Sequence, residues 1–206
     1  MLSPLLGADA LPSTVVVGGR AYPIRSDFRD GIRFESMMYD DALPDGAKTM
    51  LALGIYFGTE RPPAEHMAET IAAMLDFYRC GKADNGYEGG DTTQLYDFAY
   101  DYDLIYAAFL SAYGVNLLDR ATHLHWWEFR AMLTALPEDC QLMRVIGYRA
   151  AKPVKGMSPE QRAHVSKMKR IHALPGSRSN APHRIRSEEE LAEVLAEVAR
   201  MKGETT

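Results

Sequence analysis

The sequence predicts a mostly α-helical protein, a helical bundle with a small N-terminal β-hairpin and a tethered C-terminal helix. Three observations carry this. Apolar residues recur at three- and four-residue spacing through most of the 206 positions. A β-branched run flanked by a turn signal occurs once, near the start. Pro, Gly and Ser/Asp punctuation falls where helices of ordinary length should begin and end. The implied organisation is an N-terminal arm over residues 1–14, a helical domain with its hairpin over 15–174, and a linker with a short amphipathic helix over 175–206.

Val15, Val16 and Val17 and then Ala21, Tyr22, Pro23 and Ile24 flank Gly18-Gly19-Arg20. Paired glycines accept the positive φ of a tight hairpin turn, so this is a two-stranded ornament on a helical body. Ser26-Asp27 caps a first helix carrying Phe28, Ile32, Phe34, Glu35 and Met38, which Leu43-Pro44-Asp45-Gly46 closes. A second helix runs from Lys48 through Phe57 to Gly58. Pro62-Pro63 opens a third, through Cys80, with Met67, Ile71, Met74, Leu75 and Tyr78 on one face. Residues 81–93 are Gly-rich and acidic and read as a linker.

Leu95, Phe98, Tyr102, Ile105, Tyr106, Phe109, Leu110 and Tyr113 form a broad stripe that Gly114 ends, which predicts one long helix. Asp119 or Thr122 should cap the next, with Leu124, Trp127, Met132 and Leu133. Pro137 should start another, running to Tyr148. Ser158-Pro159-Glu160-Gln161 is a capping box with proline at the first helical position, the firmest helix start in the chain. Residues 175–182 read as disordered. Ser187-Glu188-Glu189-Glu190 then caps a short helix whose Leu191, Val194, Leu195 and Val198 share a face, a candidate docking element.

A chain of this size buries roughly 70% of its unfolded surface and needs no staple. Cys80 and Cys140 stand sixty positions apart without a CxxC pattern, which suits a reducing compartment and suggests neither a disulfide framework nor a zinc knuckle. The first residues lack a basic region and an apolar run fit for export, and no eighteen-residue apolar stretch exists to span a membrane. Net charge is −5 but uneven. Residues 1–143 hold 21 acids against 10 Lys/Arg, residues 144–186 hold 11 Lys/Arg against Glu160 alone, and the rest is acidic again. Such a basic block can serve nucleic acid, an acidic partner, or the protein's own acidic face.

Catalytic patterns are weak. His123, His125 and Glu128 suggest a metal site, yet the two histidines point about 200° apart on a helix. Asp97 and Asp101 lie one turn apart like paired catalytic acids, though an acidic outer helix face is the plainer expectation. Gly18-Gly19-Arg20 lacks the Lys-Ser/Thr of a phosphate loop, and no Gly-x-Ser-x-Gly occurs. No cofactor is expected.

The aromatic stretch 97–149 is more distinctive. Its runs Leu124-His125-Trp126-Trp127-Glu128-Phe129 and Ile146-Gly147-Tyr148-Arg149 follow Tyr96-Asp97-Phe98, Ile105-Tyr106-Ala107-Ala108-Phe109 and Tyr113-Gly114-Val115-Asn116-Leu117. Together with Asp27-Phe28-Arg29 and Ile32-Arg33-Phe34, this order resembles the bacteriophage "gene product fifteen" family over roughly residues 15–174. The resemblance implies a non-enzymatic, mostly helical tail assembly chaperone of long-tailed phages. Such a protein would bind and solubilise the tape measure protein, help recruit major tail protein to the tube, self-associate, act in the host cytoplasm and leave before the virion matures. A basic-surface nucleic-acid-binding or head-completion protein is the alternative. His125, Trp126, Trp127, Phe129, Tyr148 and Arg149 are the expected structural or binding centre. Adjacent on a helix, Trp126 and Trp127 point about 100° apart, so one broad face buries both or one stays exposed.

Overall fold

The computed structural model describes residues 11–82 and 94–175. Among these the protein is mostly α, with seven α-helices and one two-stranded antiparallel hairpin. The elements are β1 (Thr14–Val17), β2 (Arg20–Pro23), α1 (Phe28–Met38), α2 (Asp45–Phe57), α3 (Met67–Tyr78), α4 (Tyr102–Tyr113), α5 (Trp126–Thr134), α6 (Gln141–Ala150) and α7 (Pro159–Ile171). They form two compact units. The first comprises the described residues up to 82 together with Leu124–Phe129; the second comprises 94–123 and 130–175. The expected linker over 81–93 lies outside the described residues from position 83, and the expected C-terminal helix lies wholly outside them.

In the first unit, Val17 pairs with Arg20 across Gly18 (φ +57°) and Gly19 (φ +72°), the signature of a type I′ turn. The hairpin is more than an ornament. Val17 and Ile24 are buried, β1 packs against α3, and the Gly18 N–H donates to Glu69 Oε2 at 2.9 Å. Glycine suits position 18 through its positive φ, and a Cβ there would displace the partly exposed His66 ring, 2.7 Å away at Nε2. Asp27 caps α1 as expected, accepting from the Arg29 N–H. Phe28, Gly31, Phe34 and Glu35 form its inner face, while Ile32 and Met38 are only half-buried. α2 starts at Asp45, three residues before the expected Lys48, and ends at left-handed Gly58. Proline 63 leads into a single 3₁₀ turn at Ala64–His66 before α3 begins. α3 stops at Tyr78, short of Cys80, because Cys80 (φ +60°) and Gly81 (φ +66°) both turn left-handed.

The second unit departs further from expectation. Leu95 to Asp101 does not join α4. Asp97 instead folds a turn, its Oδ1 accepting the N–H groups of Ala99 (2.8 Å) and Tyr100 (2.7 Å). This is the local competition by which Asp favours turns over helix interiors. α4 begins at Tyr102, seven residues after Leu95, and closes at Gly114 (φ +67°), as the stripe predicted. Asp119 and Thr122 cap turns and not α5: Asp119 Oδ1 accepts from the Ala121 N–H, and Thr122 Oγ1 donates to the Asn116 carbonyl. Pro137 opens a turn to Cys140, and α6 starts only at Gln141. The capping box of α7 is formed in both directions, Gln161 N–H to Ser158 Oγ at 3.1 Å and Ser158 N–H to Gln161 Oε1 at 2.9 Å.

Candidate protein-interaction surfaces and the motifs behind them

The His125-Trp126-Trp127-Glu128-Phe129 run belongs to the first unit and works there as a connector. Residues Leu124 to Trp126 run alongside the entry of α1, where the Phe28 N–H donates to the Leu124 carbonyl (3.0 Å) and the Trp126 N–H to the Ser26 carbonyl (2.7 Å). His125 then caps α5. Its Nδ1 accepts from the Trp127 N–H (3.0 Å), while the Glu128 carboxylate accepts from the His125 N–H (3.0 Å). This is capping-box reciprocity with imidazole in place of a hydroxyl. With Nδ1 accepting, the ring proton sits on Nε2 and meets the Pro12 carbonyl at 3.0 Å. Both ring nitrogens are thereby engaged in structural bonds, and no group of three potential metal ligands occurs among the described residues.

Both tryptophans are buried, Trp126 at 0% exposure and Trp127 at 8%. Their indole N–H groups donate to consecutive carbonyls at the end of α3, Trp126 to Tyr78 and Trp127 to Phe77, each at 2.8 Å. The last carbonyls of a helix have no intrahelical partner, so the pair serves as a cap on α3 while its rings fill the core. Trp126 stacks between Tyr78 (5.5 Å) and Phe129 (5.8 Å), and Phe129 continues onto Phe28 (5.2 Å). Asp30, Glu35, Lys48 and Thr70 are buried in the same unit, each with a partner. Tyr78 Oη donates to Glu35 (2.7 Å), and Lys48 Nζ to the Met38 carbonyl at the end of α1 (2.9 Å).

Tyr148 and Arg149 belong to the second unit and form a separate centre. Arg149 is 5% exposed and Asp101 2%. The guanidinium grips Asp101 through Nη1–Oδ2 (2.6 Å) and Nη2–Oδ1 (2.9 Å), and also donates to the carbonyls of His172 (2.6 Å) and Leu95 (2.9 Å). Tyr148 stacks on His172 at 5.1 Å. One arginine thus ties α6 to the start of α4, the irregular segment at Leu95 and the end of α7. Asp101 is therefore the buried anion of an ion pair and not part of an acidic outer face. Asp97 is spent on its turn and on Gln94 Nε2 (3.2 Å). An open depression of about 350 Å³ bounded by Gln94, Asp97, Ala99, Tyr100, Leu174 and Pro175 lies beside them.

The second unit exposes an apolar strip and a cationic helix, beside acids such as Asp103, Asp119, Glu138 and Asp139. Tyr100 (54% exposed), Tyr102 (59%) and Leu110 (43%) are solvent-facing. Tyr102, half-buried Tyr106 and Leu110 succeed one another at four-residue spacing, so they make a strip along α4 that flanks the buried Ile105, Ala108 and Phe109. α7 has no buried residue and exposes Arg162, Lys167, Lys169 and Arg170. Sequence periodicity flagged the stripe of α4 but placed Tyr102 and Leu110 on its inner side. An amphipathicity argument cannot sort aromatics on a helix that is apolar nearly all round.

No helix among the described residues is long and apolar enough to cross a membrane. Neither the curated proteins nor the solved structures contain a match to the chain. Residues 8–174, which include every element described above, match the family model described as Bacteriophage Gp15 protein, and the chain belongs to that family of phage structural and assembly proteins.

Proposed function

We propose that this protein is a non-enzymatic tail assembly chaperone of a long-tailed phage. It binds and solubilises the tape measure protein in the host cytoplasm, helps bring major tail protein to it, and is left behind when the virion matures. The family supports this reading, and one observation supports its mechanism: the outward strip Tyr102, Tyr106 and Leu110 on a helix whose inner face is already packed. A tape measure is a long helical chain whose apolar stripe must be covered until tube subunits enclose it, and an aromatic helix face is suited to cover it. The carboxylates that invited a catalytic reading are occupied by Arg149 and by backbone N–H groups, which agrees with a binding role.

Co-expression with the tape measure protein, followed by size-exclusion chromatography with light scattering, tests the proposal. A soluble complex with several copies per tape measure is expected. An insoluble tape measure beside this protein eluting alone would reject it. The exposed cations of α7 favour a second reading, nucleic-acid binding by a head-completion protein, which requires an affinity that falls steeply with salt.

A further inference from the structure

In the first unit, α2 is apolar nearly all the way round. Ala52, Leu53, Tyr56 and Phe57 are buried, and so is Lys48, the one cation of the helix, with its Nζ on the Met38 carbonyl. What α2 turns outward is Ala47, Met50, Leu51, Gly54 and Ile55, which cover roughly 140° of its circumference without a polar side chain. Leu51 is 47% exposed, and a Cβ on Gly54 would meet nothing within 4 Å. The outward face of a surface helix ordinarily carries charge, and an uncharged apolar one marks a contact surface.

We propose that a second copy of this chain covers this face, the two α2 helices crossing antiparallel about a twofold axis beside Leu51. Charge complementarity at the two ends points to that occupant. Asp40 and Asp41 precede α2, and Asp45 opens it. At the other end the Arg25 guanidinium stands over Gly58, where a Cβ would come 2.7 Å from its Nη2, and exposed Glu60 and Arg61 follow. Neither guanidinium has a hydrogen-bond or ion-pair partner among the described residues. An antiparallel pair sets the acidic end of each copy against the arginines of the other, whereas a parallel pair sets like against like. Shape favours the same arrangement. Ala47 and Gly54 lie two turns apart and leave a furrow between Met50 on one side and Leu51 and Ile55 on the other, so Leu51 of one copy fits the gap at Gly54 of its partner. A twofold contact uses one patch twice, and an uncharged centre is where a chain of net charge −5 meets itself with least repulsion. A contact one helix long, about 20 Å, falls below the roughly 1,200–2,000 Å² of a lasting interface, so the dimer exchanges with monomer. The surface is distinct from the α4 strip, and the inference does not rest on the tape measure reading.

Sedimentation velocity on the purified full chain, across a dilution series, tests the proposal. The parent should move from monomer toward dimer as concentration rises. Leu51 is the middle residue of α2, so across the twofold axis it meets itself. Leu51→Glu and Leu51→Lys, each alone, therefore oppose like charges and should weaken the dimer at least about tenfold. Mixed together, the two variants should form a heterodimer, which two misfolded proteins would not do. Arg25→Glu should also weaken self-association, and adding Asp41→Arg with Asp45→Arg should restore it, because the ends then attract with their signs exchanged. A parent that stays monomeric at every concentration overturns the proposal and leaves the face to a different protein. So does a dimer unmoved by the Leu51 changes, or one lost instead with Tyr102→Ser and Leu110→Ser, which would assign association to α4. A mixture of the Leu51 variants that remains monomeric overturns the twofold contact as well.

Discussion

At Gly31 two opposed effects meet on one atom. The residue sits inside α1, where alanine gains about 1 kcal/mol of helix propensity over glycine. An alanine Cβ, however, would come within 2.1 Å of Trp126 Cε3, well inside the 3.5–4.0 Å of a carbon contact. Trp126 cannot yield, since it is fully buried, stacked on both sides and fixed by its indole bond to Tyr78. Overpacking of this kind costs about 1–3 kcal/mol and overrides the propensity gain, so Gly31→Ala should lower the urea midpoint. Arg149 makes the complementary case with charge. Arg149→Ala leaves the buried Asp101 carboxyl without its counter-ion, holding only the Asp97 N–H, an imbalance worth about 3–5 kcal/mol. Arg149→Lys restores charge but not the fork that serves Asp101 and two carbonyls at once, so its loss in chemical unfolding should lie between wild type and alanine. Equal stability of the lysine variant and wild type would show that the bidentate geometry contributes nothing. The sequence made Trp126 and Arg149 conspicuous but could not name their partners, because Tyr78 and Asp101 each lie 48 positions away.

Among the elements, the helices whose ends carry standard chemistry were legible and the others were not. The Gly-Gly turn, the Asp27 cap, Gly58, Gly114 and the α7 capping box all stand where their residue types predict. The start of α5 was missed because its cap is histidine, outside the usual Ser, Thr, Asp and Asn set, although Glu128 three residues on was the readable half of the box. The start of α4 was set too early because Leu95 and Phe98 continue its apolar period while Asp97 bends the backbone beneath them. Glycines inside helices give a test at this scale. Gly54 in α2 and Gly147 in α6 have normal helical backbones, and a Cβ on either meets nothing within 4 Å. Gly54→Ala and Gly147→Ala should each stabilise the protein by about 0.5–1 kcal/mol, the reverse of Gly31→Ala, as a rise in the thermal midpoint.

For the molecule as a whole, periodicity announced one continuous aromatic stretch from 97 to 149, yet its residues serve two cores. The reason is that α5 contributes Trp126, Trp127 and Phe129 to the first unit and, from Arg130 onward, belongs to the second. A one-dimensional pattern carries no mark of that division. It does carry the charge pattern, and the second unit turns this into two surfaces of different chemistry, the aromatic strip of α4 and the cations of α7. The two functional readings assign activity to different surfaces, so exposed substitutions can separate them at a cost to stability within about 0.5 kcal/mol. Tyr102→Ser with Leu110→Ser removes apolar area from α4, and Lys167→Glu with Arg170→Glu reverses the sign of α7. If the chaperone reading holds, the α4 pair should abolish recovery of soluble tape measure on co-expression, whereas the α7 pair leaves it intact and both variants keep the parental circular dichroism. The opposite assignment, with tape measure recovery unaffected by the α4 pair and DNA retention lost in the α7 pair, would transfer the function to the cationic helix.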